Sequence, residues 1–291
     1  RPCLLSPWQS PTVTFIWGSL SATWWIAAPH AATSCELSSM TEVKGTRLPD
    51  AIYGSSEVDF LYGRFGDDYL NGAENDDRLY GGRGQDYLDA GTGNDQLYGQ
   101  AGDDQLVGGG GADRLLGGMG NDTLIAWGGY SELYGGLGDD NLILGCGKAV
   151  GGAGNDVIQL FDYDDFGWTI EPGSTTEIHG GNGVDAAIIT FRLGADSLVA
   201  VWDDYQPGER ITFQVLNEDG TLLYDDATTK YLLDSDQDGQ LTDADAGILP
   251  GFDVYFNPEQ DGIDGLIKIQ VDNDFLILGA IGNPVDHYSI W

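Results

Sequence analysis

Positive charge is what this chain has least of. Its 291 residues hold 12 Lys and Arg against 47 Asp and Glu, a formal charge of −35, so nucleic acid or an anionic membrane surface would be repelled. A cation is the partner this balance favours. Histidine is nearly missing, with His30, His179 and His287 the whole supply, too few for a multi-histidine zinc or haem centre. Cys3, Cys35 and Cys146 are an odd set and give no disulfide framework. There is no His-Glu-x-x-His, no Gly-x-Ser-x-Gly and no phosphate loop with its lysine. Acid pairs such as Asp203-Asp204 are expected by chance among so many carboxylates and do not point to glycosidase chemistry. We therefore expect no enzyme. What the chain does have is 45 glycines and 41% hydrophobic residues, enough for a core once something neutralises the carboxylates.

Residues 1–39 differ from everything after them. Arg1 and Glu36 are their only charges, and four of the eight tryptophans fall there. The uncharged run over 12–28 is short for a membrane span and broken by Ser and Thr, while Ala28-Pro29-His30-Ala31 has the small-residue character of a signal cleavage site. We read 1–39 as an apolar segment that is non-native or disordered, and 40–53 as a lead-in. No membrane span is expected after residue 39.

From Gly54 the chain repeats every nine residues, a period that fixes architecture before any local propensity does. Units open at Gly54, Gly63, Gly72, Gly81, Ala90, Gly99, Gly108, Gly117, Ala126 and Gly135. The eighth position is leucine every time, from Leu61 through Leu142. The sixth is Asp59, Asp68, Asp77, Asp86, Asp95, Asp104, Asp113 and Asp122, then Ser131, then Asp140. A seven-residue spacer holding Cys146 breaks the phase. One more unit follows at 151–159 with Asp156, and a stray copy at 180–185 with Asp185.

A Gly-Gly-x-Gly-x-Asp-x-Leu-x unit is a glycine-permitted turn followed by a three-residue strand whose middle side chain points inward. Two units make one coil, so each strand lies parallel to the one eighteen residues on, roughly 4.8 Å away. The aspartates then stack as well: Asp59, Asp77, Asp95 and Asp113 on one edge, Asp68, Asp86, Asp104, Asp122 and Asp140 on the other. Neighbouring carboxylates at that spacing repel by about 3.5 kcal/mol at an effective dielectric near 20. Burying the leucines falls well short of the entropy lost in ordering the coils. The fold needs a cation between turns, and calcium fits a donor set made only of oxygen. Candidate ligands are these aspartates with Asp156 and Asp185. The turn glycines Gly63, Gly81, Gly82, Gly84, Gly99, Gly102, Gly108, Gly109, Gly111, Gly117, Gly118 and Gly120 would supply carbonyls. The stacking implies seven ions in the main array, with poorer sites at the start, where Glu57 and Asn75 replace the fourth-position glycine.

Over residues 54–159 these units resemble the haemolysin-type calcium-binding repeats of RTX proteins, and the segment from Trp202 to Ile211 resembles strands that follow such arrays. The resemblance implies an all-β fold, a parallel β-roll over 54–159, in a bacterial protein exported by type I secretion machinery through an uncleaved C-terminal signal and located outside the cell or at its surface.

Beyond Gln159 glycine thins, and short apolar runs over 198–202, 211–216, 221–224, 253–256, 267–271 and 275–281 read as strands of a smaller β-rich domain, 160–291. Asp219-Gly220 and Asp272-Asn273-Asp274 are hairpin signals. Asp234, Asp236, Asp238, Gln240, Thr242 and Asp245 resemble an EF-hand-type calcium loop, with glycine at its sixth position and Asp rather than Glu at its twelfth. Ninth-position Tyr62, Tyr80, Tyr98 and Tyr134 form an outward column that either packs as a ladder or meets a glycan or protein receptor. The function expected is a secreted calcium-binding module with a structural or interaction role. The alternatives are the export and stability region of a larger hydrolase, or a calcium-dependent adhesin.

Overall fold

Alternation along each short strand sets the path of the chain. In Phe60–Phe65 and its successors the sixth, eighth and first positions of the repeat turn inward and the residues between them outward. Inward side chains are therefore Asp, Leu and Gly or Ala in a fixed order, and tyrosines, aliphatic and polar residues share the outside. A computed structural model of the protein describes residues 12–17, 20–25, 42–161, 175–192, 199–204, 209–217, 220–225, 227–229, 240–241, 252–256, 267–271, 274–278 and 288–289. Nearly all of these are sheet, with one helical turn at 227–229.

The repeats form a parallel β-solenoid with two strands per coil. Leu61 lies opposite Leu79, Leu79 opposite Leu97 and Leu97 opposite Leu115 in one sheet. Leu70, Leu88, Leu106 and Leu124 align in the other. All ten repeat leucines are fully buried. They form one continuous apolar column, each contributing roughly 1.5–3 kcal/mol by leaving water.

The coil begins earlier and ends later than the phase of the repeat suggested. Val43–Lys44 pairs with Leu61 and Tyr62, and Ala51–Tyr53 pairs with 69–71, both in parallel. Residues 45–53 are thus a repeat unit, with Asp50 and Ile52 buried at the sixth and eighth positions. At the other end the ladder does not stop at Gln159. Val157–Phe161 pairs with Ala186–Arg192, which pairs with Arg210–Leu216. Asn141–Ala153 pairs with Thr175–Asn182, which pairs with Val199–Trp202. Ile178, Ala187, Ile189, Ala200, Trp202, Ile211 and Phe213 continue the buried column. The interval between stacked residues changes from 18 to 16, 29 and 24 (Asn141 to Val157, Lys148 to Glu177, Ala186 to Arg210), so the coil survives insertions that erase its period.

Both hairpin signals are met: Arg210–Leu216 turns back onto Leu222–Tyr224, and Ile267–Val271 onto Asp274–Leu278. Asp274–Leu278 runs parallel to Val199–Trp202 and joins an antiparallel meander with Phe252–Phe256 to the coil. Thr12–Trp17 and Leu20–Trp25 form a hairpin whose first strand pairs with Val43–Lys44. Of the EF-hand-like loop, Asp234, Asp236, Asp238, Thr242 and Asp245 lie outside the described residues, while Gln240–Leu241 pairs with Tyr288–Ser289. Among the described residues no helix is long and apolar enough to cross a membrane.

Candidate metal centre

Stacking places the sixth-position aspartates along the two edges of the coil, and each uses its two oxygens differently. One fastens neighbouring coils. The backbone N–H groups of Asp59, Asp77 and Asp95 donate to Oδ1 of Asp77, Asp95 and Asp113 at 2.7, 2.7 and 3.0 Å. On the other edge the series runs from Asp50 through Asp68, Asp86, Asp104, Asp122, Asp140 and Asp156 to Asp185, every bond 2.8–2.9 Å. It crosses both the spacer and the insertion, placing Asp156 and Asp185 in the same row as the repeat aspartates.

The second oxygen has no partner. Oδ2 of Asp68, Asp77, Asp86, Asp95, Asp104, Asp113, Asp122, Asp140, Asp156 and Asp185 is buried without a hydrogen bond. A buried carboxylate left unpaired costs several kcal/mol, and here the cost recurs at every turn. At the first two turns, Asp50 and Asp59 instead accept from Thr46 and Ser55 through Oδ2, at 2.6 Å from each backbone N–H, and Oδ1 is the orphan. Among the described residues no coil precedes them to claim it. These local bonds, together with Glu57, set the opening turn apart.

Burial pushes the protonation equilibrium of these groups upward, with a smaller upward push from neighbouring carboxylates for most of them. Asp68, Asp77, Asp95, Asp104 and Asp140 are raised from 3.8 to about 7, and Asp86, Asp113, Asp122 and Asp156 to about 6. The bond each accepts from the preceding coil offsets only part of that rise.

Glycine makes the space. A Cβ on Gly99 would lie 2.5 Å from Asp104 Oδ2 and 2.8 Å from the carbonyl of Gly117 on the next coil. One on Gly72 would lie 2.5 Å from Asp77 Oδ2 and 2.7 Å from the carbonyl of Ala90. The same first-position cradle recurs at Gly63, Gly81, Gly108 and Gly117, each against its own unit's aspartate. The second-position Gly82, Gly109 and Gly118 and the fourth-position Gly84, Gly102, Gly111 and Gly120 hold positive φ and back onto carbonyls of the preceding coil. Buried orphan carboxylate oxygens beside carbonyl oxygens, with no nitrogen donor among them, fit calcium.

On one edge the row ends at Ser131. Its Oγ accepts from the Asp113 N–H at 3.0 Å and donates to the Gly128 carbonyl at 3.1 Å, a neutral replacement that leaves no orphan charge. Cys146 is buried next to this break, its thiol donating to the Gly129 carbonyl.

Sequence reasoning missed a second row. Fifth-position Asp103, Asn121, Asp139 and Asn155 are exposed, and each accepts the N–H of the following turn at 2.7–3.1 Å. Asp67, Asp76 and Asn94 do the same. The signal was present as Asp or Asn recurring just before the sixth position. The tyrosine column is a ladder of rings: Tyr62, Tyr80 and Tyr98 stack at centroid distances of 4.8 and 4.7 Å, their planes nearly parallel. Their faces meet one another, and Tyr98 donates to Gln96.

Residues 53–88, 89–124, 116–145 and 148–162 match the RTX calcium-binding nonapeptide repeat, in four copies. No curated protein shows significant similarity to the chain.

Proposed function

We propose, from the match of four segments within 53–162 to the RTX calcium-binding nonapeptide repeat, that the protein is exported unfolded by type I secretion machinery and folds outside the cell as calcium fills its turns. There it acts as a structural or interaction module. The observation that carries this reading is the run of buried carboxylate oxygens with no protein partner. Without cations each is a penalty, and with them each is a ligand.

The linkage is steep enough to act as a switch between compartments. At a dissociation constant of roughly 0.1 mM, about 1 mM calcium adds roughly 1.4 kcal/mol per site, and cytosolic calcium adds almost nothing. Several sites acting together turn an unstable coil into a stable one. The test is far-ultraviolet circular dichroism of the full chain in excess chelator and again in millimolar calcium, with calorimetry to count the ions. Strand content should rise sharply with calcium. Equal strand content in the two conditions would sink the proposal.

A further inference from the structure

Near the end of the coil the chemistry changes. His179 occupies the outward ninth-position column, opposite Val150 on the preceding rung, and Asp203 and Asp204 follow the neighbouring strand Val199–Trp202. His179 Nδ1 lies 3.0 Å from Asp203 Oδ1 and 3.4 Å from Asp204 Oδ2. The ligand atoms of the three residues all fall within 4.8 Å of one another. Tetrahedral ligands on a first-row ion at about 2.1 Å are about 3.4 Å apart, so the histidine and each carboxylate already stand at ligand-to-ligand spacing.

Asp204 is held in place independently of the histidine. Its Oδ1 accepts from the Gly180 N–H at 2.9 Å and from the Trp202 indole N–H at 3.0 Å, and its Oδ2 from the Gly181 N–H at 2.8 Å. A carboxylate oriented by outer donors in this way is what a preformed metal ligand requires. The row of inward aspartates ends at the same place. Asp185 is 1% exposed and its Oδ2 has no partner. That oxygen crowds the position a Cβ would take on Gly180, the residue whose N–H holds Asp204. The orphaned oxygen and the half-buried triad thus flank one glycine.

We propose that His179, Asp203 and Asp204, next to the last aspartate of the calcium row, form a second kind of metal site that takes Zn2+ or a neighbouring first-row divalent ion rather than calcium. The calcium turns offer oxygen alone. This cluster adds an imidazole nitrogen, which calcium uses poorly and zinc, copper and nickel use well. The site closes the array with a different ion from the one that fills it.

The experiment uses the full chain in saturating calcium, titrated with zinc chloride by calorimetry against a competing chelator, alongside His179→Gln, Asp203→Asn and, as a control within the array, Asp95→Asn. Wild type should bind one zinc ion that His179→Gln and Asp203→Asn weaken by about tenfold or more, with calcium-dependent strand content unchanged, while Asp95→Asn retains it. Zinc binding that is the same in wild type and His179→Gln would overturn the proposal. So would zinc binding that falls with Asp95→Asn and persists in His179→Gln, because zinc would then be entering the calcium turns. Strand content is read separately, so failure here leaves the calcium-dependent folding intact.

Discussion

The backbone N–H of Asp86 is held at 2.8 Å by Oδ1 of Asp104, one coil later, while Oδ2 of Asp104 is buried with no partner. One side chain therefore ties two coils together and burdens the coil with a charge. Asp104→Asn separates the two roles, since the amide keeps an oxygen for Asp86 and gives up the charge. In chelator at pH 8 the variant should be more stable than wild type by on the order of 1 kcal/mol, because the removed charge outweighs the poorly placed amide. In millimolar calcium it should be less stable, with a higher calcium midpoint. Denaturant titrations in the two conditions would show this reversal. A variant weaker in both would mean that the carboxylate serves packing alone.

The raised aspartates fix a pH dependence whose sign opposes that of ordinary salt-bridged proteins. Their folded values lie near 6 to 7 against 3.8 when unfolded, so the unfolded chain surrenders its protons first as pH rises. Between about pH 4 and pH 7 the metal-free coil accordingly loses stability, and above about pH 7 the loss is complete. Protein stripped of calcium should gain strand signal when taken from pH 8 to pH 5, and calcium affinity should fall over the same descent as protons compete for Oδ2. A flat dichroism trace across that range would contradict the burial of these groups.

Backbone strain offers a third check. Gln100 holds φ +80 at a second position where Gly82 and Gly118 hold +122, and a side chain in left-handed backbone costs roughly 1–2 kcal/mol. Gln100→Gly should stabilise the calcium-bound coil by about 1 kcal/mol and lower its calcium midpoint. Gly102→Ala should do the opposite with a larger effect, because its φ is +144 and a Cβ there would strike the Gly84 carbonyl. Calcium titrations of the two variants, followed by dichroism, measure both shifts.

Much of this was legible because the repeat is strictly phased. Eighteen-residue stacking, the buried leucines and the two aspartate rows all follow from a period of nine, and Ser131 ends one row as its side chain requires. What escaped were stretches where the period fails and the inward pattern does not. Residues 45–53 carry Asp50 and Ile52 in phase, but Thr46 and Leu48 stand where glycine marks later turns. Past Gln159, intervals of 29 and 24 hide coils that a regular spacing would have revealed, and Ile211 and Trp202 fill the place of leucine. His179 and Asp203 lie 24 residues apart, and only the rung that carries both brings them together.

The inward junctions between coils have a direction: in the sixth-position rows the reaching carboxylate belongs to the later coil and the waiting N–H to the earlier one. The roll is in this sense a ratchet. A chain emerging tail first would present an outstretched side chain, already anchored, to catch each newcomer. Emerging head first, the finished part would hold out only its outer row, side chains such as Asp103 and Asp139, and every arrival would have to bring the inward grip itself.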